Sequence, residues 1–327
     1  MNVRPMLPMK PRILIALVLS AFVVLDLRSA ERPASRGGGA KGPRPEADTS
    51  NVSPARRPDQ VVAFKKTPQT ELKAHFYLPP GWSAQDRRPA IVFWSGGGFR
   101  NGAVGQFLSK AEYFASRGMV AICAEYRDTA RHGIDLETCV EDARSAMRWV
   151  KAHAADYGID SAKVVASGGS AGGTLSLLVA REKGPNARDD DLTVSPRPAA
   201  LVLFNPAVGE KVLEVLGRGG PGRVAVNAQI VALDTPERNE PPAILFYGTE
   251  DRPFLDTATE FTRKALVQGT RCELWTAEKM PHGFFNRQPW HSATTRKADE
   301  FLASLGYVKG PPTIKENSAA ELRRVKP

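Results

Sequence analysis

Cysteine is scarce. The 327 residues hold three, Cys123, Cys139 and Cys272. No two stand at C-x-x-C spacing, so a zinc site or a thioredoxin-like redox pair has no ligand set to build on. The odd count allows at most one internal disulfide, and Cys123, inside the apolar run MVAIC, reads as a buried thiol. Histidine is as sparse, at five. Long apolar runs are missing too: the longest, residues 13–25, falls short of the roughly 20 residues that span a bilayer. Excess charge is also lacking where the fold should be. The formal charge is +10, but residues 1–60 carry ten basic and five acidic side chains and residues 308–327 carry five and two. The body between them is left at only +2. A near-neutral body gives no electrostatic footprint for nucleic acid, and none is expected as a partner.

What is present begins with an address. Lys10 and Arg12 precede the apolar residues 13–25, and this charged-then-apolar order predicts a signal peptide or an N-terminal anchor over residues 1–30. Export to the periplasm or the medium follows as an expectation, with any membrane contact made through that segment. Residues 31–60 are rich in Arg, Pro and Gly and poor in large apolar side chains, a composition that cannot offset the entropy of ordering; a linker is expected there. A flexible tail is expected over residues 308–327.

Between them, residues 61–307 alternate apolar runs with amphipathic stretches. The runs LKAHFYLP, AIVFW, MVAIC, KVVAS, ALVLF, AILFYG and CELWTA read as strands. Residues 107–116, 136–157, 171–182, 257–268 and 292–305 read as helices, the second with Val140, Ala143, Met147, Val150 and Ala154 at spacings of three and four. Continuous apolar strands separated by helices predict a mostly parallel sheet of about eight strands covered on both faces. Chemistry in such sheets gathers at the carboxyl ends of the strands. Residues 207–242, longer than an ordinary connection, are expected to include a small cap. Asp189–Asp191 reads as a solvated turn, and residues 127–132 as a structural loop after a strand, with a place at the border of the site as the alternative.

Three strand ends carry signals. After KVVAS come Gly168, Gly169, Ser170, Ala171 and Gly172, a G-x-S-x-G at a strand-to-helix junction, the context of a nucleophile elbow. The turn has neither the G-x-G-x-x-G spacing nor the Lys-Ser/Thr pair of phosphate-binding loops. After AIVFW come Ser95, Gly96, Gly97 and Gly98, glycines that let backbone N–H groups face a ligand. The N–H of Ala171 and one from this glycine loop are the expected oxyanion hole. After AILFYG comes Asp251, with Glu250 beside it as the rival acid, and after CELWTA comes His282. A serine hydroxyl needs a base in reach, and that imidazole needs an orienting carboxylate. The chain order Ser170, Asp251, His282 is that of α/β-hydrolases. His75, His132, His153 and His291 stand on strands, loops or helices away from this constellation.

The ensemble SGGGF, GGSAGG, YGTED and HGFFN, with RRPAIVFWSGGGF and EDARSAMRWVKAHAADYGID, resembles α/β-hydrolase esterases of the hormone-sensitive-lipase-like and acetyl-xylan/feruloyl-esterase type over about residues 70–307. The resemblance implies a serine carboxylesterase for short-chain acyl esters, including acetyl esters of polysaccharides, with no metal or organic cofactor. It puts Ser170 as nucleophile, Asp251 as acid, His282 as base, and Gly97, Gly98 and Ala171 at the oxyanion positions. Two positions depart from the pattern: Ser95 replaces the first residue of H-G-G-G, and Thr174 stands where many relatives have His. The same triad also serves peptidases, and the same fold serves non-catalytic carbohydrate-binding proteins. Hydrolysis of a simple ester separates the second of these. The oligomeric state is left open by the sequence.

Overall fold

The structure, a computed structural model, describes residues 56–210 and 223–326, with the backbone alone for residues 223–227. The expected signal segment, most of the linker and residues 211–222 of the expected cap lie outside the described residues. Strands β1 (Gln60–Lys66), β2 (Glu71–Tyr77), β3 (Arg88–Trp94), β4 (Val120–Ala124), β5 (Ile159–Gly169), β6 (Ala200–Phe204), β7 (Ala243–Gly248), β8 (Cys272–Ala277) and β9 (Leu322–Val325) form one sheet. Their order is β1-β2-β4-β3-β5-β6-β7-β8-β9. From β4 to β8 every neighbouring pair is parallel; β1, β2 and β9 run antiparallel to their neighbours.

The apolar runs become strands buried on both faces because successive side chains point to opposite sides. Along β3, Ala90, Val92 and Trp94 enter one core cluster and Ile91 and Phe93 the other. Helices α3 (Leu136–Ala152), α4 (Ala171–Ala180), α5 (Arg223–Ala232) and α6 (Phe254–Val267) contribute to the first cluster. Helices α1 (Leu108–Ser116) and α7 (Trp290–Ser304) contribute to the second. A single turn of helix, α2 (Thr129–His132), lies between β4 and α3. Asp135 caps α3, its carboxylate accepting from Thr138 N at 2.9 Å. α3 is shorter than its periodicity predicts: it ends at Ala152, and residues 154–157 tighten into a 3-10 turn closed by Gly158 at φ +60°. A Cβ on Gly158 would press on Asp86 and the Trp82 indole.

The mostly parallel sheet of about eight strands is borne out, with nine strands among the described residues. The structure corrects two expectations. Order begins before residue 60, since Arg56 donates to Leu78 O at 3.1 Å and its own carbonyl accepts from Tyr77 OH at 3.0 Å. Residues 308–327 are not simply a tail. Val308 is buried, Arg117 donates to the carbonyls of Lys309 and Gly310, and Leu322–Val325 pair with β8. The physical reason is the edge of β8, whose unpaired backbone groups accept another strand more readily than they remain open. In the described part of the expected cap, Ile230 and Leu233 are buried in the core cluster shared with α3. All three cysteines are buried free thiols, and burial pushes the Cys272 thiol up to about 12.

Candidate active site

Ser170 sits between β5 and α4 at φ +50°, ψ −117°. A non-glycine residue holds such a backbone only where its surroundings over-determine it. Here Ser170 N donates to Phe204 O at 2.8 Å, and Ser170 O accepts from Thr174 N at 2.9 Å. The turn can be this tight because its flanks are bare. A Cβ on Gly168 would lie 2.6 Å from Trp94 O, and one on Gly172 would overlap the same carbonyl. Thr174, where relatives carry His, is fully buried; its hydroxyl reaches Ala207 O at 3.2 Å and accepts from Ala207 N at 2.8 Å.

The structure brings the three expected side chains together. His282 Nε2 is 2.9 Å from Ser170 Oγ, and His282 Nδ1 is 2.9 and 3.0 Å from the two carboxylate oxygens of Asp251. Asp251 is 4% exposed, which shelters the carboxylate, while the His282 side chain is 36% exposed and open to substrate. The Phe254 ring packs on the imidazole, centroids 4.9 Å apart. Glu250, the rival acid, points outward and makes no side-chain hydrogen bond among the described residues.

The glycine loop lies against the elbow: a Cβ on Gly96 would stand 3.3 Å from Ser170 Cβ. Gly97 and Gly98 adopt φ +117° and +61°, and a Cβ on Gly97 would crowd Asn101. The N–H groups of Gly97, Gly98 and Ala171 meet no acceptor among the described residues. They are left without a partner there. Behind the loop, residues 126–131 hold it in place. Tyr126 OH donates to Ser95 O at 2.9 Å, Thr129 N to Phe99 O at 2.9 Å, and Arg131 to Gly102 O at 2.7 Å. Asp128 in turn fixes Arg131.

Sequence reasoning missed three carboxamides. Gln106 Oε1 accepts from Gly96 N at 2.6 Å, and Gln106 Nε2 donates to Asn286 Oδ1 at 3.2 Å. Asn286 Nδ2 donates to Gly283 O at 3.1 Å. Asn205, at φ +48° just after β6, accepts from Gly283 N at 3.3 Å and donates to Asp251 Oδ2 at 2.5 Å. A hydrogen-bonded line of amides thus runs from the glycine loop, past the backbone of the His282 loop, to the carboxylate. Asn205 had one available signal, its place at the carboxyl end of a buried strand.

The other histidines are engaged elsewhere. His75 pairs with Glu125 at 2.9 Å, His132 Nδ1 accepts from Asp128 N, and His153 stacks on Trp149 at 4.3 Å. His291 is buried beside the fully buried Lys110, whose ammonium nitrogen donates to Thr295 Oγ1 at 2.9 Å and His291 O at 3.2 Å. Burial pushes the Lys110 amine well below the usual lysine range. His291 is pushed down to about 2, by Lys110 and then by burial. Asp190 is less solvated than its run of acids suggests, since Arg148 holds it at 2.7 Å. Among the described residues no cluster of three or more His, Cys, Asp or Glu is placed to hold a metal ion.

Known proteins with this architecture share more than the fold. The family model BD-FAE matches residues 75–200. A solved structure of Thermogutta terrifontis esterase 2 phosphoramylated by tabun is 38% identical, with a TM-score of 0.70, covering 77% of this chain and 96% of that one. The same esterase with propionate bound is 36% identical, with a TM-score of 0.68 and the same coverage. The carboxylic ester hydrolase LipN of Mycobacterium tuberculosis is 31% identical over 73% of this chain and 67% of its own length. A serine at a strained elbow, an imidazole and a buried carboxylate in line, and esterases matched over most of their length lead to one conclusion: the chain belongs to the α/β-hydrolase serine esterases, enzymes that use a catalytic serine to hydrolyse small acyl esters.

Proposed function

We propose that the protein is a short-chain acyl esterase in which Ser170 is the nucleophile, His282 the base and Asp251 its orienting acid. The single observation that carries this is the unbroken line Ser170 Oγ–His282–Asp251, with both contacts to the imidazole at 2.9 Å. His282 Nε2 takes the proton as Ser170 Oγ attacks the ester carbonyl. The carboxylate behind Nδ1 fixes the tautomer and stabilises the imidazolium. The N–H groups of Gly97, Gly98 and Ala171 receive the negative charge on the carbonyl oxygen; such donors cost no reorganisation at the moment of reaction. The imidazolium then gives its proton to the leaving alcohol, and water repeats the sequence to release the acid. The propionate- and butyrate-bound structures of Thermogutta terrifontis esterase 2 support a short acyl group.

Acetyl groups on polysaccharides are the finer substrate we propose, on the resemblance to acetyl-xylan and feruloyl esterases and on the basic-then-apolar order of residues 10–25. That order also supports export; recovery of the protein only in the cytosolic fraction of its host would defeat it. The reaction itself is tested with p-nitrophenyl acetate. Ser170→Ala should lose at least about 10⁴-fold in kcat with unchanged unfolding, and a serine-directed phosphonate should map to Ser170. An adduct on another serine would remove Ser170 from its role.

A further inference from the structure

The proton that His282 takes from Ser170 must be delivered to the leaving oxygen from the same ring nitrogen, so the alcohol half of the ester departs past the imidazole. A pocket of about 290 Å³ opens there, with His282 in its wall. Met280, Pro281, Phe284 and Trp290 make it largely apolar, and Trp290 stands edge-on to Phe284 at 5.7 Å. This volume is at the small end for ligand pockets, suited to seating a single ring. Arg287 also lines it. Its backbone is pinned, Arg287 N donating to Phe284 O at 3.2 Å and Arg287 O accepting from His291 N at 2.7 Å. Its guanidinium has no hydrogen bond or ion pair among the described residues. Arg117, Arg127 and Arg148, by contrast, are each held by a carboxylate at 2.6–2.8 Å. No Asp or Glu lines the pocket. An unpaired cation on a pinned backbone at the wall of an apolar, ring-sized space lacks only a carboxylate, and the wall supplies none.

We propose that this pocket receives the alcohol half of the ester and that Arg287 selects alcohols whose ring bears a carboxylate. The preferred substrates are then short-acyl esters of hydroxylated ring acids, the acetylated acidic sugar units of a polysaccharide among them. This rests on the assignment of His282 as the proton donor to the leaving group. A guanidinium meets a carboxylate with paired N–H donors, a stronger and more directional contact than a neutral hydrogen bond.

The test compares 4-carboxyphenyl acetate with 4-(methoxycarbonyl)phenyl acetate, which keeps the ring and removes the charge. The quantity read is the ratio of kcat/KM for the charged ester to that for the neutral one. Arg287→Gln should lower the ratio about tenfold, Arg287→Glu further, and Arg287→Lys should restore part of it. The wild-type ratio should fall as salt is raised from low to physiological strength, because an exposed charge contact is screened. A ratio that is the same in all four proteins overturns the proposal while leaving the triad untouched. If Ser170→Ala hydrolyses both esters as fast as wild type, the site assignment fails and the proposal falls with it.

Discussion

Two histidines in this molecule each stand near a serine hydroxyl, and they are built for opposite ends. His282 has Ser170 Oγ at 2.9 Å, a buried carboxylate behind it and an open face. His291 has Ser109 Oγ at 3.4 Å, is 8% exposed, and has the cation Lys110 for a neighbour where His282 has an anion. The first ring faces a carboxylate on one side and solvent on the other. The second cannot be charged while Lys110 is, and burial discourages either. A serine beside a histidine is therefore not a catalytic pair by proximity. The sign of the charge behind the ring and its access to water decide.

The largest expected effect breaks the comparison at its root. Asp251→Asn should lower kcat by about 10³–10⁴-fold, because an amide favours the wrong imidazole tautomer and cannot stabilise the imidazolium. Glu250→Gln should cost tenfold or less. Steady-state kinetics on variants shown to unfold like wild type distinguish the two. Next comes the exchange between rings: His282→Gln should lose about 10³-fold or more, in line with general-base roles, while His291→Gln should stay within about threefold. A large loss from His291→Gln would show that the buried ring takes part.

Gln106→Leu should have a smaller effect, about tenfold in kcat with KM little changed. It removes the acceptor for Gly96 N and the donor to Asn286 and so loosens the loop that we propose receives the oxyanion. A change in KM alone would mean the loop only binds substrate. The smallest effect is on stability. Lys110→Met should raise it by about 1–3 kcal/mol, since an apolar side chain of similar length avoids the burial of an amine without a carboxylate. The sign with pH is fixed. The folded-state amine binds protons less readily than the unfolded one, so its cost is full below its folded pKa and fades toward the unfolded value of 10.5. The gain measured by chemical denaturation should be larger at pH 7 than at pH 10.

The sequence carried the strands that become β3 to β8, because burial on both faces makes each a continuous apolar run. It also carried the three side chains of the site, because each follows such a run. β9 was not legible: LRRV has only two apolar residues, and its pairing depends on an edge that a linear reading does not see. The amide line was hidden for a different reason. Gln106, Asn205 and Asn286 are neutral, and a neutral carboxamide has no required spacing, so only their meeting in space reveals a function. Asp190 looked like surface charge until Arg148 was found against it.

The ninth strand has a consequence for how the molecule behaves among its own copies. A free sheet edge is a row of unsatisfied donors and acceptors, a template on which another chain can extend the sheet. Through Leu322–Val325 the chain occupies the β8 edge with its own backbone, and Arg323 and Arg324 place two charges on the strand that becomes the new border. The opposite border, β1, ends in the exposed Lys66, while Lys65 turns inward to Asp142 at 2.7 Å. The β8 side of the sheet thus ends in a short strand with two arginines, a border less inviting to a further strand than a bare edge, so the segment that adds the ninth strand covers an open template as well as completing the sheet.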